Sequence, residues 1–348
     1  MPRFAAESEG AALRVGLVGA GGISHVHVAG WQALGADISV FSKAGADALA
    51  EQHGLTVVST FEELVDLVDV VDIVTPTATH RELALTAIAA GRHVVCEKPL
   101  AATSAEAKEI ARAARAAGVQ VYPAHVVRYF PEYVALKRAI TTGVIGEPAV
   151  LRFTRAGEAP RAGSWFFDET AGGGIVLDQM IHDLDQARWL AGEVVQVYAV
   201  QNPPTREGTV PAVVTAQIVL THLSGAVSHV QGYWGPSGLT FRTSVDVAGS
   251  AGTVGYESPD DGSIRMDMPA ATSADDYLPP RTHAESPYTL ELREFAAAFA
   301  GGPVPRIDLE DGILAIALAE AAVASIASGA AVDFNADVVL ADLQEVVA

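Results

Sequence analysis

The sequence predicts a two-domain protein, with an N-terminal α/β domain built on a doubly wound parallel sheet and a C-terminal α+β domain with a mainly antiparallel open sheet. The chain has 348 residues, enough for about two domains of ordinary size. Short apolar segments alternate with segments of helical length as far as residue 124, and beyond it strand-like segments follow one another with only short turns. We therefore expect the domains at residues 1–124 and 125–348.

Six apolar segments of the first domain are predicted to be strands, each followed by a helix or the domain boundary. The strands are expected at 13–18, 38–41, 56–58, 70–74, 93–97 and 119–124. The helices are expected up to residue 34 and over 44–53, 61–67, 81–90 and 104–117. Strands joined through helices pair in parallel by right-handed crossovers, so a Rossmann-type sheet covered on both faces is predicted.

The second domain has a different rhythm. Helices are expected at 131–142 and 174–190, and strands at 149–154, 194–200, 213–222, 226–234 and 240–248. Consecutive strands without helices between them favour antiparallel pairing. Two closing helices are expected at 286–300 and 309–327, and the Pro- and Asp-rich stretch 258–287 is expected to be a mobile loop.

Composition excludes several classes of protein. Half of the residues are apolar and 18% are charged, as in a folded globular protein. The mean hydropathy of +0.27 comes largely from alanine, and Glu320 interrupts the longest apolar stretch, so no membrane span is expected. Glu7 and Glu9 stand where a signal peptide needs apolar residues. We expect a cytoplasmic protein.

The net charge and the cysteine content limit which partners and ligands are expected. The net charge of −20 opposes binding to a phosphate backbone, so nucleic acid is not an expected partner. The single cysteine, Cys96, allows no internal disulfide, and no zinc-type Cys/His spacing occurs, so no metal is expected. Cys96 is interpreted as a buried packing residue.

A glycine-rich turn, GAGGIS, follows the first strand and opens a helix. Gly19 permits the tight turn, and Gly21 lets the backbone approach a pyrophosphate that the amides and the positive end of the helix would hold. Ser24 replaces the third glycine of the usual pattern. A dinucleotide is therefore expected against residues Gly19, Gly21, Gly22, Ile23 and Ser24.

The end of the second strand bears on the choice of dinucleotide. An NAD site usually has an acid there for the ribose hydroxyls, whereas this chain has Ser42 and Lys43. These residues suit a 2′-phosphate, so NADP is preferred over NAD; a solvated loop lysine is the alternative interpretation.

Candidate catalytic groups occur in both halves of the chain. Glu97 and Lys98 follow the fifth strand at the carboxyl edge of the sheet, where such folds bind ligands. Asp178 and His182 are four residues apart and would share one helical face, with Asp185 one turn further on. A polar helix face with satisfied charges is the alternative for this pair.

Four motifs together resemble one family. VGLVGAGGIS, TPTATH with AGRHVVCEKPL, HVVRYFPEY, and GGGIVLDQMIHDLDQARWLAG are similar over nearly the whole chain to the Gfo/Idh/MocA oxidoreductases, particularly the inositol dehydrogenase branch. The resemblance implies that the catalytic set is Lys98, Asp178 and His182. It also implies that the cofactor lies near Thr75, Pro76, Thr77, His80, Glu97 and Lys98.

The resemblance also points to a substrate site. Lys98, Asp178 and His182 would bind substrate, and Arg128 and Tyr129 resemble positions that line the site, with a structural role equally open. Met180 stands where many relatives have glycine, so it is expected to reshape the substrate pocket. His25 and His27 follow the glycine turn, where a packed or solvated role is favoured over contact with nicotinamide; His125 is left open.

The expected function is hydride transfer between NAD(P)(H) and a secondary alcohol or ketone of a polyol, inositol or sugar-like substrate. His182 would act as base, Asp178 would orient it or bind a substrate hydroxyl, and Lys98 would stabilise the reacting oxygen. Two alternatives are a glycosidase that retains NAD and a non-catalytic dinucleotide-binding regulator. A homodimer or homotetramer through the C-terminal sheet is expected.

Overall fold

The structure, a computed structural model, describes residues 12–169, 171–258 and 285–344. The described residues form two β-sheets and ten α-helices. The stretch 258–287, expected to be a loop, lies outside the described residues except at its two ends.

The first sheet is wholly parallel and confirms the doubly wound prediction. Its order is β3-β2-β1-β4-β5-β6. The strands are β1 Arg14–Val18, β2 Asp37–Phe41, β3 Thr56–Val57, β4 Val70–Ile73, β5 His93–Glu97 and β6 Val121–Ala124. The strand order reverses between β1 and β4, which is where open α/β sheets bind ligands beyond their carboxyl ends.

The predicted helices are present, and one more closes the chain. They are α1 Ser24–Ala33, α2 Ala46–His53, α3 Phe61–Leu67, α4 His80–Ala89, α5 Ser104–Ala117, α6 Pro131–Thr141, α7 Ile181–Ala191, α8 Pro287–Phe299, α9 Leu309–Ser328 and the additional α10 Ala336–Gln344. Side-chain caps fix two starts: Thr60 accepts from the Glu63 amide at 3.1 Å, and Thr103 accepts from the Glu106 amide at 3.2 Å.

The second sheet has seven strands in the order β12-β11-β7-β10-β9-β8-β13. They are β7 Pro148–Glu158, β8 Val194–Asn202, β9 Val214–His222, β10 Val227–Gly235, β11 Arg242–Gly249, β12 Thr253–Glu257 and β13 Val332–Asp333. All neighbours are antiparallel except β7 and β10, which run parallel. The two edge strands were not predicted, because β13 has two residues and none of the five residues of β12 is buried.

The chain divides into two compact units that interleave along the sequence. The first unit comprises the described parts of Met1–Tyr129, His283–Ile313 and Asp342–Ala348, and the second those of Phe130–Thr282 and Leu314–Ala341. This differs from the single boundary expected at residue 124.

Helix α8 explains the interleaving, because it packs against the Rossmann-type sheet and its first helix. A Cβ on Gly30 of α1 would stand 2.8 Å from the Leu292 side chain. Phe295 stacks on Tyr122 of β6 with ring centroids 5.0 Å apart. A helix that follows the second sheet in sequence therefore completes the core of the first unit.

Among the described helices, α9 has the length and apolar composition that could cross a membrane. Its residues Ile313, Leu314, Ile316 and Leu318 have no exposed surface, and 56% of its most apolar window is buried in the protein. The core helix of a folded domain has the same properties, so α9 is weak evidence for a membrane.

Candidate active site

The glycine turn after β1 is closed by contacts that only glycine permits. Gly19 has φ +115°, and a Cβ there would lie 2.9 Å from the carbonyl oxygen of Val74. Its amide donates to the Phe41 carbonyl at 2.9 Å. The turn is thereby fixed between the ends of β2 and β4.

The next residues leave room for a ligand. Apart from the glycine itself and its neighbours in the chain, no described atom lies within 4 Å of the Cβ positions of Gly21 or Gly22. Ser24 is buried, begins α1, and donates its hydroxyl to the Gly21 carbonyl at 2.5 Å. Unfilled space beside a helix N-terminus suits a pyrophosphate, so the turn Gly19–Ser24 fits the dinucleotide expected there.

The loop after β2 has no acidic residue in its first four positions, 42–45. Ser42 donates its hydroxyl to the Ala44 carbonyl at 2.7 Å, and Lys43 is exposed. A cofactor that contacts the Ser42 hydroxyl would do so while this hydroxyl also bonds to the Ala44 carbonyl. The Lys43 side chain is open to solvent.

The loop after β4 is held by contacts of the buried His80 ring. Thr77 begins a short 3₁₀ helix and is buried, Pro76 is exposed, and the Thr75 hydroxyl lies 2.6 Å from that of Thr79. The ring nitrogens of His80 lie 2.8 Å from the Pro99 carbonyl and 2.7 Å from the Thr75 carbonyl.

Both nitrogens of the His80 ring are therefore engaged within the protein. Burial lowers the pKa of this imidazole, although the two carbonyl contacts oppose the change. His80 links the loop after β4 to the loop after β5, and its contact with a cofactor stays a prediction, as do those of Thr75, Pro76 and Thr77.

Glu97 is the last residue of β5 and Lys98 follows it, and the two side chains have different surroundings. Glu97 is buried; its Oε2 accepts from the Lys98 amide at 2.9 Å, and its Oε1 lies 3.1 Å from His27 Nε2. Burial raises the pKa of Glu97, but His27 and Lys98 outweigh it and hold the pKa below its ordinary value. The Glu97 carboxylate is thus occupied inside the protein, whereas the Lys98 side chain is half-buried.

His27 has a structural role that sequence reasoning did not identify in detail. The ring is fully buried, with Nδ1 2.8 Å from Asp72 Oδ2, which also accepts from Trp31 Nε1 at 2.7 Å. Burial lowers the pKa of His27, but Asp72 and Glu97 raise it well above its ordinary value. The packed interpretation of His27 is confirmed. His25 is partly exposed, and its Nδ1 lies 2.9 Å from His53 Nε2.

The sequence did carry one signal of this network. Asp72 is a charged residue in β4, whose side chains are all buried. An aspartate in such a strand requires a hydrogen-bonding partner, since an isolated buried charge is strongly unfavourable.

Asp178 and His182 lie in the second unit, and Lys98 lies in the first. Asp178 is 5% exposed in a π-helical turn, Val176–Met180, and His182 is half-buried at the second position of α7. Regular α-helical geometry would place Asp178 and His182 on one face of the helix. The wider π turn replaces that geometry, and such turns are frequent at functional sites.

The glycine run before this helix allows close packing. A Cβ on Gly172 would lie 2.7 Å from the Phe166 Cα, and one on Gly174 would lie 2.7 Å from the Val210 side chain. Gly174 also has φ +62°. The start of the helix is therefore pressed against the turn Trp165–Phe167 and the segment around Val210.

Helix α7 is held on the sheet by groups that were not predicted. Arg155 of β7 donates to both oxygens of Asp183, at 2.9 and 2.8 Å, and both side chains are buried. Met180, expected to reshape the substrate pocket, is fully buried and packs on Gly232 of β10. Asp185 is buried and accepts from Gln186 at 3.4 Å.

Arg128 and Tyr129 have partners within the first unit. Arg128 donates to the Arg306 carbonyl at 2.6 Å and to Asp311 at 2.8 Å, and is 2% exposed. Tyr129 donates to Glu294 at 3.2 Å. These contacts agree with a structural role for Arg128 and Tyr129, one of the two interpretations offered above. The other interpretation, that they line a substrate site, stays a prediction.

Cys96 and His125, both named in the sequence analysis, are buried. Cys96 is fully buried, and burial raises the pKa of its thiol well above the ordinary value, which confirms a packing residue. His125 is buried near the end of β6. Within the described ranges, no group of three or more His, Cys, Asp or Glu side chains has the arrangement of a metal site.

Comparison with known proteins agrees with the two-part architecture. Residues 13–125 match the model of an oxidoreductase family with an NAD-binding Rossmann fold, and residues 133–255 match the GFO/IDH/MocA C-terminal domain. Inositol 2-dehydrogenase 1 of Saccharopolyspora erythraea is 30% identical, covering 89% of this chain and 92% of its own length.

Two further relatives extend over both domains. Inositol 2-dehydrogenase of Rubrobacter xylanophilus is 27% identical, covering 91% of this chain and 92% of its own length. The solved structure of levoglucosan dehydrogenase in complex with NADH and levoglucosan is 25% identical, with a TM-score of 0.79 over 94% of this chain and 100% of that chain.

Proposed function

Because these matches show that the chain belongs to the Gfo/Idh/MocA family of oxidoreductases, we propose that it is a dehydrogenase of cyclic polyols, with inositols and related sugars as its substrate class. The observation that carries this proposal is similarity over both domains to enzymes named inositol 2-dehydrogenase. The glycine turn, with open space at Gly21 and Gly22, supports dinucleotide binding by this chain's own residues.

The catalytic roles follow from the chemistry of the side chains. A bound nicotinamide supplies the hydride acceptor or donor. Oxidation of a secondary alcohol also requires removal of its hydroxyl proton, and imidazoles titrate close to neutral pH, so we assign this step to His182. Asp178 orients that imidazole or binds a neighbouring hydroxyl. The Lys98 ammonium stabilises negative charge on the reacting oxygen.

A panel of cyclic polyols and sugars, followed by the absorbance of reduced nicotinamide with both cofactors, tests the activity. Lys98→Ala and His182→Ala should each lower kcat/KM by at least about 100-fold, the usual contribution of a general base or an electrostatic stabiliser. Binding of NADPH and of NADH, measured by the fluorescence of the reduced nicotinamide, should persist in His182→Ala. Variants with near-normal kcat/KM would refute these assignments.

For the cofactor, we propose a preference for NADP. The support is the absence of an acid after β2 and the exposed Lys43. Ser42→Asp should then weaken NADP binding and strengthen NAD binding, since the new carboxylate repels a 2′-phosphate and accepts from a ribose hydroxyl. A wild-type kcat/KM that is higher with NAD would contradict the preference.

We further propose that the second domain binds substrate and forms a homodimer or homotetramer in the cytoplasm. The outward positions of strands β9 and β10 carry no Lys, Arg, Asp or Glu side chain; they are Thr215, Gln217, Val219, Thr221, Val227, His229, Gln231 and Tyr233. On neighbouring β8, Tyr198 and Val200 are 41% and 45% exposed. Light scattering should show a mass above one chain, and Val219→Glu should reduce it; a wild-type monomer would refute the proposal.

A further inference from the structure

A continuous chain of buried polar groups in the first unit ends at the Lys98 backbone. Trp31 Nε1 donates to Asp72 Oδ2 at 2.7 Å, and the same oxygen lies 2.8 Å from His27 Nδ1. On the other side of the ring, His27 Nε2 lies 3.1 Å from Glu97 Oε1. Glu97 Oε2 then accepts from the Lys98 amide at 2.9 Å.

The geometry sets the charge of the central ring. Each nitrogen of His27 faces a carboxyl oxygen, and Asp72 and Glu97 together raise the pKa of the ring well above its ordinary value. An ionised carboxylate only accepts hydrogen bonds, so with both acids ionised each ring nitrogen carries a proton and donates. His27 is therefore an imidazolium between two carboxylates. Its ring, like Asp72, has no exposed surface, and its contacts with the two carboxyl groups are direct.

Such a network contributes little net stability to a fold, because burying its charges removes their hydration. Replacement of a buried ion triad by well-packed apolar side chains is often neutral or stabilising. The network does, however, hold both oxygens of Glu97: one by His27 and one by Lys98. A carboxylate held at both oxygens cannot rotate, so the peptide between residues 97 and 98 is held with it.

We propose that His27 is a positioning residue for Lys98, acting through Glu97. This inference rests on the catalytic role given to Lys98 under the proposed function. The hydrogen bonds of the His27 ring go to Asp72 and Glu97, and in this proposal His27 does not contact the substrate. His27 holds the Glu97 carboxylate in one orientation, and this carboxylate in turn fixes the Lys98 backbone at the carboxyl end of β5.

Two variants of His27 separate this role from simple stabilisation. In His27→Asn the amide nitrogen takes about the place of Nδ1 and retains a donor for Asp72 only. In His27→Gln the amide nitrogen takes about the place of Nε2 and retains a donor for Glu97 only. Both variants lose the positive charge and one hydrogen bond. They differ only in which carboxylate keeps its hydrogen bond, Asp72 in His27→Asn and Glu97 in His27→Gln.

The primary measurement is hydrogen exchange of the Lys98 amide, by mass spectrometry of peptides that cover Glu97 to Leu100. We expect exchange in His27→Asn to be about tenfold faster than in His27→Gln, the effect of about one net hydrogen bond. Val28→Ala, a fully buried apolar neighbour on α1, is the control: it should destabilise the unit without changing exchange at Lys98. Equal exchange in the two His27 variants would overturn the proposal.

Kinetics with myo-inositol and each cofactor provide the second measurement. We expect kcat to fall about tenfold further in His27→Asn than in His27→Gln, with little change in cofactor KM, because Lys98 acts on the reacting oxygen. If the wild type turns over neither myo-inositol nor any other member of the polyol and sugar panel, the proposed function fails, while the exchange rates still decide the positioning role. A difference in exchange without a difference in kcat would overturn the link to catalysis.

Should His27→Asn fail to fold, Glu97→Gln and Glu97→Met replace the pair. Glutamine retains an acceptor for the Lys98 amide and an amide nitrogen that donates to a neutral His27, whereas methionine retains neither. Faster exchange at Lys98 in Glu97→Met is expected, and equal rates would refute the role of Glu97.

Discussion

Glu291 of α8 provides the most direct test of the electrostatics of the first unit. Its side chain has no exposed surface, and within the described residues neither carboxylate oxygen has a hydrogen-bond partner. Burial, together with the charges of Glu97 and Asp72, raises its pKa well above the ordinary value, although His27 opposes this. We expect Glu291 to be protonated in the folded protein at neutral pH.

The sign of the pH dependence follows from this proton. In the unfolded chain a glutamate loses its proton near pH ~4.3, whereas folded Glu291 retains it to a higher pH. The stability that this group contributes is therefore complete below about pH 4.3 and decreases as the pH rises towards the raised pKa. One retained proton gives a slope of about 1.4 kcal/mol per pH unit.

Glu291→Gln and Glu291→Met remove the titration. The free energy of unfolding of each variant, less that of the wild type, should rise from about pH 5 by about 1.4 kcal/mol per pH unit and level off above the raised pKa. Urea denaturation at constant ionic strength measures the difference at each pH. The two variants will differ by a constant, because Gln buries an amide, but their slopes should agree. A difference independent of pH would refute a protonated Glu291.

Three other features give predictions. Gly19→Ala places a Cβ 2.9 Å from the Val74 carbonyl at φ +115°, so it should destabilise the protein by ~1–3 kcal/mol and weaken NADH binding, seen by thermal unfolding and a fluorescence titration. Arg155→Ala should cost about 3–5 kcal/mol by leaving Asp183 charged and buried, and the double variant Arg155→Met/Asp183→Leu should recover most of it in urea denaturation. Because burial raises the pKa of the Cys96 thiol, iodoacetamide should leave it unmodified in the native protein and alkylate it in urea, as checked by mass spectrometry.

The first sheet could be predicted because its signals are local. Each strand from β1 to β6 is a short apolar segment between helix-length segments, and right-handed crossovers leave few possible topologies. The turn at Gly19 is local as well, since the strand before it and the helix after it give the glycines their meaning.

Other features depend on contacts distant in sequence, which periodicity cannot reveal. The return of α8 to the first unit depends on Leu292 meeting Gly30, more than 250 residues earlier in the chain. Only the three-dimensional contact shows why α1 has a glycine there. The π turn that carries Asp178 has the same apolar pattern as an α-helix, so the sequence predicted regular geometry where the structure has a wider turn.

The buried polar network shows how a local anomaly and a distant contact combine. Asp72 interrupts an otherwise apolar strand, which signals a buried partner, but the sequence does not say which of ten histidines provides it. The structure assigns His27, one turn of α1 before Trp31, so both donors to Asp72 come from one helical face. Since His27 also holds Glu97, the helix that follows the glycine turn is tied to the residue before Lys98. A shift of α1 on the sheet would therefore disturb the cofactor turn and the Lys98 backbone together, which couples cofactor binding to the placement of the proposed catalytic lysine within one unit.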